Sequence, residues 1–184
     1  MKTTAVGLTH PDKFSRTESH PQRTGLGMGL FTQQLHTECE INASADLVWQ
    51  VLTDFEHYPQ WNPFIQSIRG EIKTGAKLQI QLRTPKGMAM KFLPTVLQAE
   101  PNRELRWLGR LGLPRIFDGE HSFTIEPINH NRVRFVQQEV FIGVLIPLLV
   151  KSLDPDTRQG FELMNQALKH RVEQLALTQK LGCD

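Results

Sequence analysis

The chain has 184 residues, 39% of them apolar and 22% charged, with a formal net charge of +2. That is the size of one domain with a real core, and three Trp with ten Phe exclude a disordered chain. Cys39 and Cys183 stand far apart in neither CxxC nor metal-ligand spacing, so neither a disulfide framework nor a zinc site is indicated, and a reducing cytoplasm fits. The longest apolar run, Phe141 to Val150, is broken by Gly143 and Pro147 and falls well short of the roughly 18 residues a membrane span needs. Lys2 is followed by Thr, Gly, His, Pro and Asp rather than an apolar stretch, which argues against a secretory signal and for a cytoplasmic location.

Residues 1 to 29 scatter Pro11, Pro21, Gly25, Gly27 and Gly29 among polar residues without apolar periodicity. They read as a flexible leader to a domain over 30–181, with 182–184 as a tail. Gly25-Leu-Gly-Met-Gly29 does not match GxGxxG and no strand precedes it, so it reads as a hinge. From Phe31, the alternation of Leu35, Thr37, Cys39 and Ile41 with His36, Glu38 and Glu40 predicts a half-buried strand. Ser44 then caps a short helix with Asp46 in its first turn and Leu47, Val48, Val51 and Leu52 as its apolar stripe. Pro59 and Pro63, among four aromatics between Phe55 and Phe64, predict a packed turn or short second helix.

Short runs separated by turn signals follow: Ile65 to Ile72, Leu78 to Arg83, Met88 to Gln98 and Leu105 to Leu111, an antiparallel meander. A hairpin of Arg115 to Glu126 and Arg132 to Ile142 turns at Pro127 to Asn131. Asp154-Pro155 then predicts a helix start, and Phe161, Met164, Leu168, Val172 and Leu175 mark a long helix to about Leu177. Phe141 to Val150 reads as a strand end and buried connection, or as an apolar rim able to touch a membrane. The economical packing is α+β: a curved antiparallel sheet of about seven strands around the C-terminal helix, enclosing a cavity. Between Arg69 and Arg115, ten Lys or Arg face three acids, which suits a solvated sheet face or a surface for an anionic ligand or membrane. No nucleic-acid partner is expected.

The segments Trp61-Asn-Pro-Phe64, Gly119-Glu-His121-Ser-Phe123, Gln138-Glu139-Val-Phe141-Ile-Gly143 and Gly160-Phe-Glu-Leu-Met164-Asn165 occur in an order that resembles the START-like (SRPBCC) superfamily, in particular its polyketide cyclase/dehydrase-like bacterial branch. The resemblance runs from about Phe31 to Leu177. It implies a helix-grip (Bet v 1-like) fold with a deep apolar cavity that relatives use to bind lipids, sterols, hormones or polyketides and occasionally to act on them. Fold analogy does not choose among these uses.

In the hairpin, Phe117, Gly119, His121, Phe123 and Ile125 share one face, and Gln137, Glu139 and Phe141 share the corresponding face of the partner strand. A turn centred near Asn129 sets His121 opposite Gln137 and diagonal to Glu139. Burying Glu139 unpaired costs several kcal/mol, so a partner such as His121 or an arginine is required, and the pair would favour a charged imidazole. It reads as a structural tie, a ligand-orienting group or a catalytic acid/base pair. Trp61 and Trp107 read as core or cavity wall, Phe161 and Met164 as the helix's contribution to that wall, and Gly160 as a close approach or a kink. Arg83 and Arg110 alternate outward unless a bulge near Gly109 turns Arg110 in. No GxSxG, HExxH or Walker pattern occurs, which excludes the common hydrolase, metalloenzyme and NTPase classes, and no cofactor is expected. The sequence therefore predicts a carrier or sensor of an apolar small molecule. The alternatives are a cyclase or dehydratase using His121 and Glu139, and an interaction module whose groove holds a partner segment.

Overall fold

The computed structural model describes residues 31–110 and 112–181. The expected leader 1–29, Leu30, Leu111 and the tail with Cys183 lie outside the described residues, as does the side chain of Asp154. Strand β1 (Phe31–Ile41) buries Leu35, Thr37 and Ile41 on one face, as the alternation predicts. Helix α1 (Ala45–Thr53) is capped by Ser44, whose hydroxyl accepts the Leu47 N–H at 3.3 Å, and it buries Leu47, Val48, Val51 and Leu52. The aromatic segment forms a 3-10 turn (Phe55–His57) and helix α2 (Tyr58–Trp61) with Pro59 in its first turn. The buried Tyr58 hydroxyl donates to the Leu52 carbonyl at 2.7 Å and locks this segment onto α1.

Eight antiparallel strands result: β2 (Ile65–Arg69), β3 (Gln79–Arg83), β4 (Ala89–Phe92), β5 (Thr95–Glu100), β6 (Glu104–Arg110), β7 (Asp118–Asn129) and β8 (Arg132–Gly143) follow β1. They make a five-stranded sheet ordered β1-β8-β7-β6-β5 and a three-stranded sheet ordered β2-β3-β4. The expected run Met88 to Gln98 is divided between them at Leu93-Pro94, because proline brings no N–H to the ladder. The Pro94 carbonyl accepts from the Leu78 N–H at 2.9 Å, and Val96 exchanges bonds of 2.8 and 2.9 Å with Gly75 and Ala76, so one bent surface joins the two sheets. The hairpin starts at Asp118 rather than Arg115. Gly112 (φ 76°) and Arg115 (φ 68°) both take left-handed backbone, which turns the chain instead of extending it.

Helix α3 spans Ile146–Leu181, so the expected start at Asp154 is corrected. The apolar run divides into the end of β8 and the first turn of α3, where Pro147 loses no intrahelical bond. Pro155 sits inside the helix, at the cost of one. Phe161, Met164, Leu168 and Val172 are at most 2% exposed against the sheet, each burial contributing roughly 1.5–3 kcal/mol. Polar bonds fix the helix to β1: Asn165 Nδ2 donates to Thr37 Oγ1 at 3.0 Å, and Lys169 Nζ donates to the Glu40 carbonyl at 2.6 Å. Glu173 receives the Asn42 N–H at 2.8 Å and Lys169 Nζ at 3.0 Å. Burial alone would raise the Glu173 pKa, but these donors outweigh it and hold the carboxyl below the ordinary range.

Gly160 marks a close approach. A Cβ there would lie 2.2 Å from Phe64 Cδ2, and the Phe64 ring meets Phe161 edge-on at 5.6 Å. Ala normally stabilises a helix interior relative to Gly by about 1 kcal/mol. Here overpacking of about 1–3 kcal/mol outweighs that gain. Gly160→Ala is expected to lower Tm by roughly 2–8 °C in a thermal melt, and an unchanged or raised Tm would contradict this packing.

Candidate ligand-binding site

A cavity of about 640 Å³ lies between the inner face of the sheets and α3, within the roughly 300–1,000 Å³ typical of small-molecule sites. Its origin is the pairing of β6 with β7. Trp107 stands opposite His121 and fills the inner face, but the next inward pair is Gly109 opposite Gly119, so the face has no side chains there. An added Cβ on Gly109 would meet nothing closer than the Gly119 carbonyl at 3.8 Å. Phe161 of α3, Phe117 and Phe141 close the hollow on one side. Ile65, Ile80, Leu82 and the stretch Met90–Pro94 close the other. Phe117 and Phe141 are in ring contact at 5.3 Å.

One ionisable pair is built into this apolar wall. His121 faces Glu139 directly across β7 and β8, and Nδ1 hydrogen-bonds Glu139 Oε2. The expected partner Gln137 instead faces Phe123. The two-residue turn at His130-Asn131 and a bulge between Pro127 and Asn129 move the pairing by two residues from a turn centred at Asn129. Gln137 still reaches the ring, its Nε2 lying 3.2 Å from His121 Nε2. With the amide donating, the imidazole is neutral and its proton sits on Nδ1 toward Glu139. With the amide turned over, its oxygen accepts from an imidazolium. The network accommodates both, and in each both ring nitrogens are engaged. The ring is stacked on Trp107 at 5.2 Å and meets the Phe161 edge at 5.0 Å.

Glu139 owes its position to Gly119, since a Cβ there would stand 2.6 Å from Oε1. Oε2 is used by His121, while Oε1 has no hydrogen-bond partner among the described residues. Imidazole positions the carboxylate, and the carboxylate presents the free oxygen. Thr157 supplies a hydroxyl from α3. Arg110 and Lys91 reach the mouth, Arg110 with its Nε 3.8 Å from Asp118. No bulge interrupts β6 against β7, so Arg110 arrives there by its length from the strand end.

Of the residues singled out from sequence, Trp107, Phe117, His121, Glu139 and Phe161 line the cavity. Phe123, Gln137 and Met164 are fully buried behind it: Phe123 packs on Trp107 and Phe135, and Gln137 Nε2 lies 3.7 Å from Met164 Sδ. Trp61 packs on Tyr58 at 4.9 Å, away from the cavity. Missed were Phe64, Gly109, Gly119 and the β4 wall. A glycine inside each of two adjacent strands was the available signal for the hollow. Phe64 is delivered by Asn62, whose Oδ1 accepts the N–H groups of Phe64 and Ile65 at 3.0 and 2.8 Å.

Solved structures share this architecture. A norcoclaurine synthase point mutant from Thalictrum flavum, in complex with a transition-state analogue, is 16% identical and matches with a TM-score of 0.62 over 80% of this chain and 98% of its own. The Zhui aromatase/cyclase from a Streptomyces strain is 16% identical, with a TM-score of 0.63 over 77% of this chain and 94% of its own. A START superfamily protein from Mycobacterium smegmatis is 26% identical, with a TM-score of 0.59 over 77% and 98%. No curated protein matches the sequence. The first two likenesses, at this identity, establish the helix-grip fold and nothing of the chemistry. Residues 32–176 match the family model described as polyketide cyclase / dehydrase and lipid transport. With most of its length inside that model and a sheet that grips its last helix around a hollow, the chain belongs to the polyketide cyclase / dehydrase and lipid transport family.

Proposed function

We propose that the protein binds an apolar small molecule, of lipid, sterol or polyketide-like character, in the cavity under α3, and acts as a cytoplasmic carrier or sensor of it. The observation that carries this reading is the hollow itself: facing glycines leave the inner sheet face unfilled, and aromatic and aliphatic side chains wall the space. No helix among the described residues is long and apolar enough to cross a membrane. Exposed Phe92 and Leu93 beside Lys91 at the mouth suit transient contact with a membrane during loading.

Binding is favoured over catalysis by what the wall offers. Both His121 nitrogens are engaged, Thr157 is the only hydroxyl side chain among the lining residues, and one carboxylate oxygen is the only free acceptor of the pair. That is sufficient to orient a ligand and thin equipment for a reaction needing both acid and base. An interaction module would bind through a shallow surface groove, whereas this space runs inward from its exposed rim to the buried Trp107, His121 and Phe161.

A fluorescent fatty acid should titrate saturably, at about one probe per chain. Failure to saturate would contradict the carrier reading. Gly109→Leu isolates the cavity from the fold, because the added side chain enters open space without backbone collision. It is expected to weaken probe binding by roughly tenfold or more while leaving Tm unchanged or raised, since it fills a void. Unaltered affinity in this variant would place the probe elsewhere.

A further inference from the structure

We propose that Glu139 Oε1 is the point at which the ligand's polar end is recognised, and that this end is a neutral hydroxyl, phenolic or alcoholic, rather than a carboxylate. The proposal rests on the cavity-binding reading above and adds the chemistry of the ligand to it.

Glu139 lines the cavity with its two oxygens in different circumstances. Oε2 is held by His121 Nδ1, and Oε1, seated beside the bare backbone of Gly119, is without a partner among the described residues. Its surroundings are Phe117, Phe141, Trp107 and Gly109. Oε1 is open to water from the cavity side, the Glu139 side chain being 13% exposed; a ligand that fills the cavity displaces that water, and a ligand hydroxyl replaces the lost bond with a charge-assisted one. A ligand carboxylate does the reverse. It sets a second anion against the first where the dielectric is low, and His121 has no nitrogen left to shield it because Nε2 is turned to Gln137. Arg110 and Lys91 stand at the mouth, so an anionic group on the ligand belongs at the opposite end from the one Glu139 reads. The geometry thus assigns polarity along the cavity: a hydrogen-bond donor inward, anionic character tolerated only outward.

Three rigid probes separate the terms: naphthol, its methyl ether and naphthoate, titrated near neutral pH by calorimetry. Naphthol is expected to bind the unmodified protein roughly tenfold more tightly than the ether, with naphthoate weakest. In Glu139→Gln, His121 Nδ1–H retains the amide oxygen and turns the NH2 group to the cavity, so the donor preference should vanish and the ether and naphthoate should gain. Equal affinity for naphthol and ether in the unmodified protein overturns the proposal while leaving the cavity reading intact, as does a preference that survives Glu139→Gln. Tightest binding of naphthoate also overturns it, because an anionic group would then outweigh the donor that Glu139 is proposed to read. If none of the three binds while the fluorescent fatty acid does, the proposal falls and the cavity reading stands; if the fatty acid fails as well, both fall. Should the variant fail to fold, the naphthol-to-ether ratio in the unmodified protein decides alone.

Discussion

Gly109 facing Gly119 across β6 and β7 is the constraint from which the functional architecture follows. In most sheet-on-helix domains the inner face is filled to crystal-like density, and a void large enough for a ligand loses the dispersion contacts of every atom around it. Here the void is written into the backbone pairing. Two adjacent strands lack side chains at one inward level, and neighbouring aromatics cannot collapse into it because each is held elsewhere. Trp107 is stacked on His121, Phe161 is braced by Phe64, and Phe117 and Phe141 lean on one another. The hollow persists because its walls are mutually supported, and the tight seat of Phe64 against Gly160 is part of that support.

The same glycine that opens the cavity admits its charge. A side chain at position 119 would occupy the space of the Glu139 carboxylate, so the opening of the hollow and the exposure of an acceptor to it are one feature. The chain Glu139, His121, Gln137 then runs from the wall into the core, ending against Met164, with the Gln137 Oε1 left without a partner. A network that tapers into apolar surroundings in this way fixes the orientation of its outermost member more firmly than a lone carboxylate could be fixed. It leaves His121, buried and engaged at both ring nitrogens, to position Glu139.

How much of this was legible in the sequence depends on the range of the interaction. Strand alternation in β1, β7 and β8, the capped α1 and the apolar stripe of α3 are local patterns, and each was readable along with the inward placement of His121 and Glu139. What failed was set by local exceptions or by distance. The two-residue shift between β7 and β8 came from a bulge that periodicity cannot register, and it exchanged Gln137 for Glu139 as the residue opposite His121. The early start of α3 was hidden because Asp154-Pro155 reads as a capping acid before a first-turn proline, whereas the helix already begins at Ile146 and runs through Pro155. The β4 wall and Phe64 come to the cavity by folding alone. Nothing in a run of exposed Met, Lys, Phe and Leu says which face of which sheet it will close.

The division of the meander at Leu93-Pro94 gives the cavity an exposed border, lined there by Lys91, Phe92 and Leu93. The small sheet is joined to the large one by backbone bonds near Leu78 and Val96, and the tip of its β3–β4 hairpin is tied to α3 by the Lys86 N–H, which donates to buried Asp156 at 3.1 Å. Met88 at that tip and Phe92 and Leu93 at the far end of β4 are exposed, so little apolar burial opposes displacement of the strand. The remaining borders of the cavity are much stiffer: β6, β7 and β8 pair over their whole lengths and, among the described residues, four side-chain hydrogen bonds fix α3 to β1. The border between β4 and α3 is therefore the least restrained edge of the cavity. On the proposed reading, a ligand entering by that border would pass Lys91 and Arg110 before its leading end met Glu139, in the order that the polarity of the site requires.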